Sequence, residues 1–135
     1  MERFPRRRYT TRMAKTHSIT GTYRITHMDE WDQEYVDAEA PAYIRFDRRS
    51  DGRFQFGYVH GWLESEETKR EGKPAIEFTW QGNNDTDPAN GRGWAVLEDD
   101  GTMKGKLFTH ESDSSGFTAQ KMDKGGRKAK SAPTL

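Results

Sequence analysis

Arg92 stands between Gly91 and Gly93 and two residues before Trp94. A guanidinium offers a planar fork of donors that matches a carboxylate or a phosphate. Small neighbours let a ligand come close to the backbone. The same cation also suits an internal pair with Asp85, Asp87, Asp32 or Glu34, and the surrounding surplus of acids favours that pairing. Just upstream, Asn83-x-Asp85-x-Asp87 alternates oxygen ligands in the manner of a calcium loop. An EF-hand needs Gly at its sixth position and Glu at its twelfth. Pro88 and Trp94 stand there instead, so the motif fails and Asx-turns within the loop are the simpler reading.

A second cluster, Trp31-Asp32-Gln33-Glu34-Tyr35, sets two carboxylates beside an indole and a phenol. Asp32 or Glu34 would do acid–base work only if desolvated. Residues two apart on a helix do not face each other, so a carboxylate dyad needs a partner from elsewhere. The favoured reading packs Trp31 and Tyr35 onto the body of the protein and leaves the acids in water. His17, His27, His60 and His110 lack metal-ligand spacing, and no Gly-rich loop opens a helix to cradle phosphate. The serines of Ser112-Asp113-Ser114-Ser115 lie in a turn without a strand-to-helix elbow. The residues therefore assign no catalytic group, no metal and no cofactor. Trp31, Glu34, Trp80, Asn83, Asp85, Arg92 and Trp94 are the candidate ligand-binding set, for a small molecule of unknown identity.

The elements that must position these residues read mostly as strands. Ile19–Thr26 alternates, with Ile19, Gly21, Tyr23 and Ile25 on one face. Segments 42–46 and 53–60 flank Ser50-Asp51-Gly52, a hairpin signal. Further strands are expected at 61–69, 75–81, 93–98, 103–110 and 116–120. Ile76, Phe78 and Trp80 share a face of the fifth strand, and a polar loop follows from Gly82 to Arg92. The two-residue rhythm stops between His27 and Pro41, where Trp31, Tyr35, Val36 and Ala38 approximate a helical stripe. Asp29 is the expected cap and Pro41 the stop. About eight strands in sequential order with one helical insert predict an all-β, up-and-down antiparallel barrel or half-barrel. An eight-stranded barrel is just wide enough to be filled by side chains or to hold one small ligand. The aromatic residues at its mouth are the expected site.

Composition sets the remaining bounds. Only 31% of the 135 residues are hydrophobic, so the core must rest on large rings. There is no cysteine, which removes disulfides and thiol chemistry. No apolar run is long enough to cross a bilayer as a helix, and a cytoplasmic protein is expected. The formal charge of +0 arises by cancellation. Residues 16–120, the expected barrel domain, hold eleven Lys/Arg and twenty Asp/Glu, or −9. Residues 1–15 carry +5 (six bases, one acid) and residues 121–135 carry +4 (five bases, one acid). Both ends lack periodicity and read as disordered extensions. Basic ends can engage phosphate backbones. Without interleaved aromatics or a nucleic-acid-binding motif, nucleic acid is disfavoured as a partner. Met13 precedes the patterned region like a second start, so residues 1–12 are expected to be dispensable. A chain beginning at Met13 should match the full-length thermal midpoint.

Several of these strings line up in order with a known set of sequences. They are Gly21-Thr22-Tyr23, Met28-Asp29-Glu30-Trp31-Asp32-Gln33-Glu34-Tyr35, Phe54-Gln55-Phe56-Gly57, Phe78-Thr79-Trp80-Gln81-Gly82-Asn83, Gly91-Arg92-Gly93-Trp94-Ala95 and Ser115-Gly116-Phe117-Thr118-Ala119. Over roughly Ile19 to Lys121 the chain resembles small bacterial proteins described only as hypothetical. The resemblance implies no activity, cofactor or partner. Gly21-Thr22-Tyr23 is also similar to the Gly-x-Trp opening of calycin barrels, with Tyr23 in place of the Trp.

Overall fold

The structure, a computed structural model, describes residues 19–122. Residues 1–18 and 123–135 lie outside the described part, and with them Met13 and nearly all of both basic ends. Eight antiparallel strands close into a barrel in sequential order. They are β1 (Gly21–Met28), β2 (Tyr43–Phe46), β3 (Asp51–Phe56), β4 (Val59–Arg70), β5 (Lys73–Asn84), β6 (Asp87–Leu97), β7 (Thr102–Thr109) and β8 (Ser114–Lys121). β8 pairs back onto β1, so no strand is left as an edge along the common height of the barrel.

Alternation decides what faces inward. Tyr23, Ile44, Phe46, Phe54, Phe56, Leu63, Phe78, Trp80, Leu107 and Phe117 all lie in one continuous buried cluster. Glycines make room for these rings. Phe54 pairs across the sheet with Gly61, Phe78 with Gly93, Trp80 with Gly91 and Phe117 with Gly105. A Cβ on any of the four would strike the opposite ring or its supporting carbonyl oxygen. Small-opposite-large packing of this kind fills a narrow barrel. The inward-facing rings pack against one another into one continuous core.

Both ends are closed as well. At one end the chain between β1 and β2 forms α1 (Gln33–Val36), a single turn. Its cap is Asp32, not the expected Asp29. The Asp32 carboxylate accepts the Tyr35 N–H at 3.0 Å, which quiets a free donor at the helix start. Trp31 packs 5.3 Å from Phe56, and Val36 is fully buried. Gly57 follows β3 with φ 56° and lies against the Tyr35 ring, so both its backbone and its lack of Cβ are needed there. That turn splits the expected strand 53–60 into β3 and β4. At the opposite end the Tyr23 phenol donates to the Ile19 carbonyl at 2.8 Å. Burial, and then the nearby Glu67 charge, push this phenol well above its ordinary range.

The helical insert is anchored through Asp37. Its carboxylate accepts two hydrogen bonds from Arg24 at 2.9 Å, one from the Ala42 N–H at 2.8 Å and one from Gln33 at 3.1 Å. Burial pushes this carboxyl up, but the Arg24 bonds, the Ala42 and Gln33 bonds and the Arg24 charge outweigh it and hold it below the usual range. A depressed folded value contributes stability above the unfolded value and loses it as pH falls through the folded one. Asp37→Asn should therefore cost about 1–2 kcal/mol at neutral pH, reduced by the partial exposure of both partners. The gap from wild type should narrow below about pH 4, near the ordinary Asp value. Urea melts at neutral and acid pH check this.

Candidate functional site

The segment 82–92 is not a loop. β5 and β6 run on as a hairpin to a two-residue turn at Asp85-Thr86, pairing Asn84 with Asp87 and Gly82 with Ala89. Asp85 takes φ 57°, and the Asn83 amide donates to the Asp85 carbonyl at 2.9 Å. Asn83 and Asp85 thus build the turn. Pro88 is accommodated because β7 pairs only from Gly91 onwards, so one side of β6 has no ladder there.

This register separates the predicted residues. Trp80 pairs with Gly91, while Arg92 pairs with Thr79 and Trp94 with Glu77. Trp80 therefore points into the core, where its indole donates to the Phe108 carbonyl at 3.2 Å and meets Phe54 edge-on at 4.9 Å. Arg92 and Trp94 point outward. Trp31 packs at the end of the barrel, and Glu34 is exposed beside it. The seven candidates do not converge on one site.

Arg92 behaves differently from the expectation of an internal pair. Among the described residues it forms no ion pair or hydrogen bond, and its guanidinium lies 4.1 Å from the Phe108 ring centroid. Its flanking glycines serve Trp80 and Phe78 on the inner face, not a ligand on the outer one. Two outer cavities meet at Thr79 and Arg92. The larger, about 610 Å³, mixes Asp51, Glu64, Glu66 and Glu77 with Arg49, Arg70 and Arg92. Arg70 stacks 4.1 Å over Trp94 at its wall. The second, about 410 Å³, contains Arg92, His110, Thr79, Thr109, Asn90 and the Phe108 ring, and no carboxylate lines it. His110 lies 3.7 Å from Glu111, which is outside the lining.

No protein-family model matches the chain, and no curated protein or solved structure is significantly similar to it. The reading of the site therefore rests on chemistry. The second cavity is lined by an arginine, a histidine, an asparagine and two threonines beside Phe108. Such a donor set holds an anionic oxygen group. No set of three or more His, Asp or Glu side chains among the described residues is placed to hold a metal ion. Asp32 serves α1 and Glu34 is in water, so neither carboxylate is the desolvated acid that catalysis would need. No described helix is long and apolar enough to cross a membrane.

Phe108, Thr79 and Asn90 escaped the sequence reading, and His110 entered it only as a candidate metal ligand. The signal available for them was parity. Once Phe78 and Trp80 are inward, Thr79 must be outward, and a two-residue turn then puts Arg92 beside it.

Proposed function

We propose that this protein is a non-enzymatic binding module that takes a small anionic ligand on the outer wall of β5–β7. The observation that carries this reading is Arg92. It is an exposed guanidinium with no ionic partner among the described residues, at the wall of a cavity without carboxylates, in a domain of charge −9. Its place in that cavity's wall against Phe108 distinguishes it from other exposed cations that also lack an ion pair among the described residues, such as Arg48, Arg49 and Lys104. The Phe108 ring gives the ligand a flat apolar wall as well.

Phenyl phosphate combines both features and serves as the probe. Calorimetry should show binding that is weaker for methyl phosphate and absent for phenol. Arg92→Ala should weaken phenyl phosphate binding by about tenfold or more, the loss of one charge-assisted contact. The same substitution should change stability by less than about 1 kcal/mol, because only an exposed cation–ring contact is lost. Equal binding by wild type and Arg92→Ala would refute the assignment.

A second reading draws on the alternation of rings and cations along this wall. Arg53 lies 5.1 Å from Trp62, Arg70 over Trp94, and Lys106 5.1 Å from Phe108. Single-stranded nucleic acid uses such platforms. The −9 charge and the acids of the larger cavity oppose it, and salt-dependent binding of an oligothymidine would favour it. The binding reading keeps the protein in the cytoplasm, in line with its cysteine-free composition. The eight-strand closure and the Gly21-Thr22-Tyr23 opening support a calycin-like character.

A further inference from the structure

A third outer cavity, about 460 Å³, lies beside the anion site and shares only Asn90 with it. We infer that this cavity binds the ring of a neutral saccharide, stacked on Trp62 and held by Gln81 and Asn90. The inference goes beyond the anion-binding reading and does not depend on Arg92.

The first observation is Trp62 itself. It is 52% exposed on a strand whose neighbouring alternate residues Val59, Gly61 and Leu63 are buried. Arg53 lies 5.1 Å from its ring centroid, yet half of the side chain still faces water. A large aromatic left outward on a rigid barrel wall is a ready stacking surface. The faces of an indole carry negative electrostatic potential, and the axial C–H bonds of a pyranose present the complementary positive edge.

The second observation is the row across the sheet. Trp62 pairs with Gln81, and Gln81 with Asn90, on three consecutive strands. At the usual strand spacing of about 4.8 Å, the backbone positions of Trp62 and Asn90 stand about 10 Å apart. Among the described residues neither side-chain amide has a hydrogen-bond partner. An amide offers donors and an acceptor together, which is what hydroxyl groups require in a ligand.

The third observation is the charge of the lining. Trp62, Gln81, Gly82, Pro88, Ala89 and Asn90 include no ionisable group, in a chain of which 33% is charged. The lining itself supplies no counter-charge, and the nearby Arg53 guanidinium is engaged with the Trp62 ring. An apolar protein segment would bury two amides without partners, at the cost that unsatisfied groups carry. A ring with one apolar face and a rim of hydroxyls satisfies both halves of the surface. The cavity is also within the usual size of small-molecule sites, about 300–1,000 Å³.

The test uses the full chain and a panel of neutral probes: maltotriose, cellotriose, chitotriose (its N-acetyl form) and lactose. The Trp62 indole N–H resonance, assigned by its loss in Trp62→Ala, is followed through millimolar titrations. At least one probe should shift it. Trp62→Ala should weaken that probe by about tenfold, and Trp62→Tyr should keep most of the affinity. Asn90→Ala should weaken it several-fold, while Arg92→Ala should leave it unchanged. The proposal is overturned if no probe moves the Trp62 signal, or if binding survives Trp62→Ala. It is equally overturned if wild type sediments as a dimer that Trp62→Ala dissociates, since a second copy would then be the occupant. Loss of phenyl phosphate binding alone bears only on the Arg92 site.

Discussion

Trp80→Ala is expected to destabilise the barrel by about 3–5 kcal/mol, the range for removing a buried Trp or Phe. Three losses combine at this position. Trp80 is 4% exposed, its ring meets Phe54 at 4.9 Å, and its N–H is satisfied by the Phe108 carbonyl. The hole cannot collapse easily, because the residue directly opposite is Gly91, which has no side chain to move in. A domain of this size has about 5–15 kcal/mol in total, so the variant should lose a large share of it. The thermal midpoint should fall by roughly 15 °C or more. Trp80→Phe isolates the hydrogen bond, and its cost should be only about 1 kcal/mol beyond the volume change. Guanidinium melts of the two variants separate the contributions.

Gly91→Ala is expected to cost about 2–4 kcal/mol, from the opposite side of the same contact. A methyl group there would overlap the Phe108 carbonyl oxygen and stand 2.9 Å from the Trp80 indole nitrogen. It would therefore push on both ends of the Trp80 hydrogen bond. A backbone oxygen within a closed barrel has little freedom to retreat, because β7 is laddered on both sides. Arg92→Ala, one residue away but facing water, is the internal control and should be nearly neutral. If Gly91→Ala were equally neutral, the packing account of the glycines would be wrong. In the double variant Trp80→Ala with Gly91→Ala the penalties should add less than fully, because the contact with the indole is relieved while the overlap with the Phe108 carbonyl oxygen remains.

The residue patterns made the architecture legible and left the site obscure, for the same physical reason. Alternation is a local signal, and each strand showed it wherever the inner positions were apolar, as in Ile76, Phe78 and Trp80. Eight such runs in hairpin order led directly to the closed barrel. The far ends of β5 and β6 gave no such signal. Gly82, Asn83, Asn84, Asp87, Pro88 and Asn90 are poor strand formers, and here the ladder of a neighbour imposes the conformation. Reading them as a loop hid the register. Without the register, Trp80 and Trp94 looked like two sides of one mouth, though they stand on opposite faces of the wall. Arg92 stands out in the sequence for its flanking glycines, yet those glycines belong to the core. Trp62, between Gly61 and Leu63, carried a usable hint: an outward position holding a residue that prefers to be inside.

Where the ligand sits is read directly from side chains of the cavity wall. Titration of the full chain with phenyl phosphate should shift the Arg92 Nε–H and His110 ring signals and leave the Trp31 indole, at the capped end, in place. The His110 shift should vanish in Arg92→Ala. A shift at Trp31 with none at His110, or an undiminished response in Arg92→Ala, would contradict an anion site on the outer wall. So would the absence of any shift.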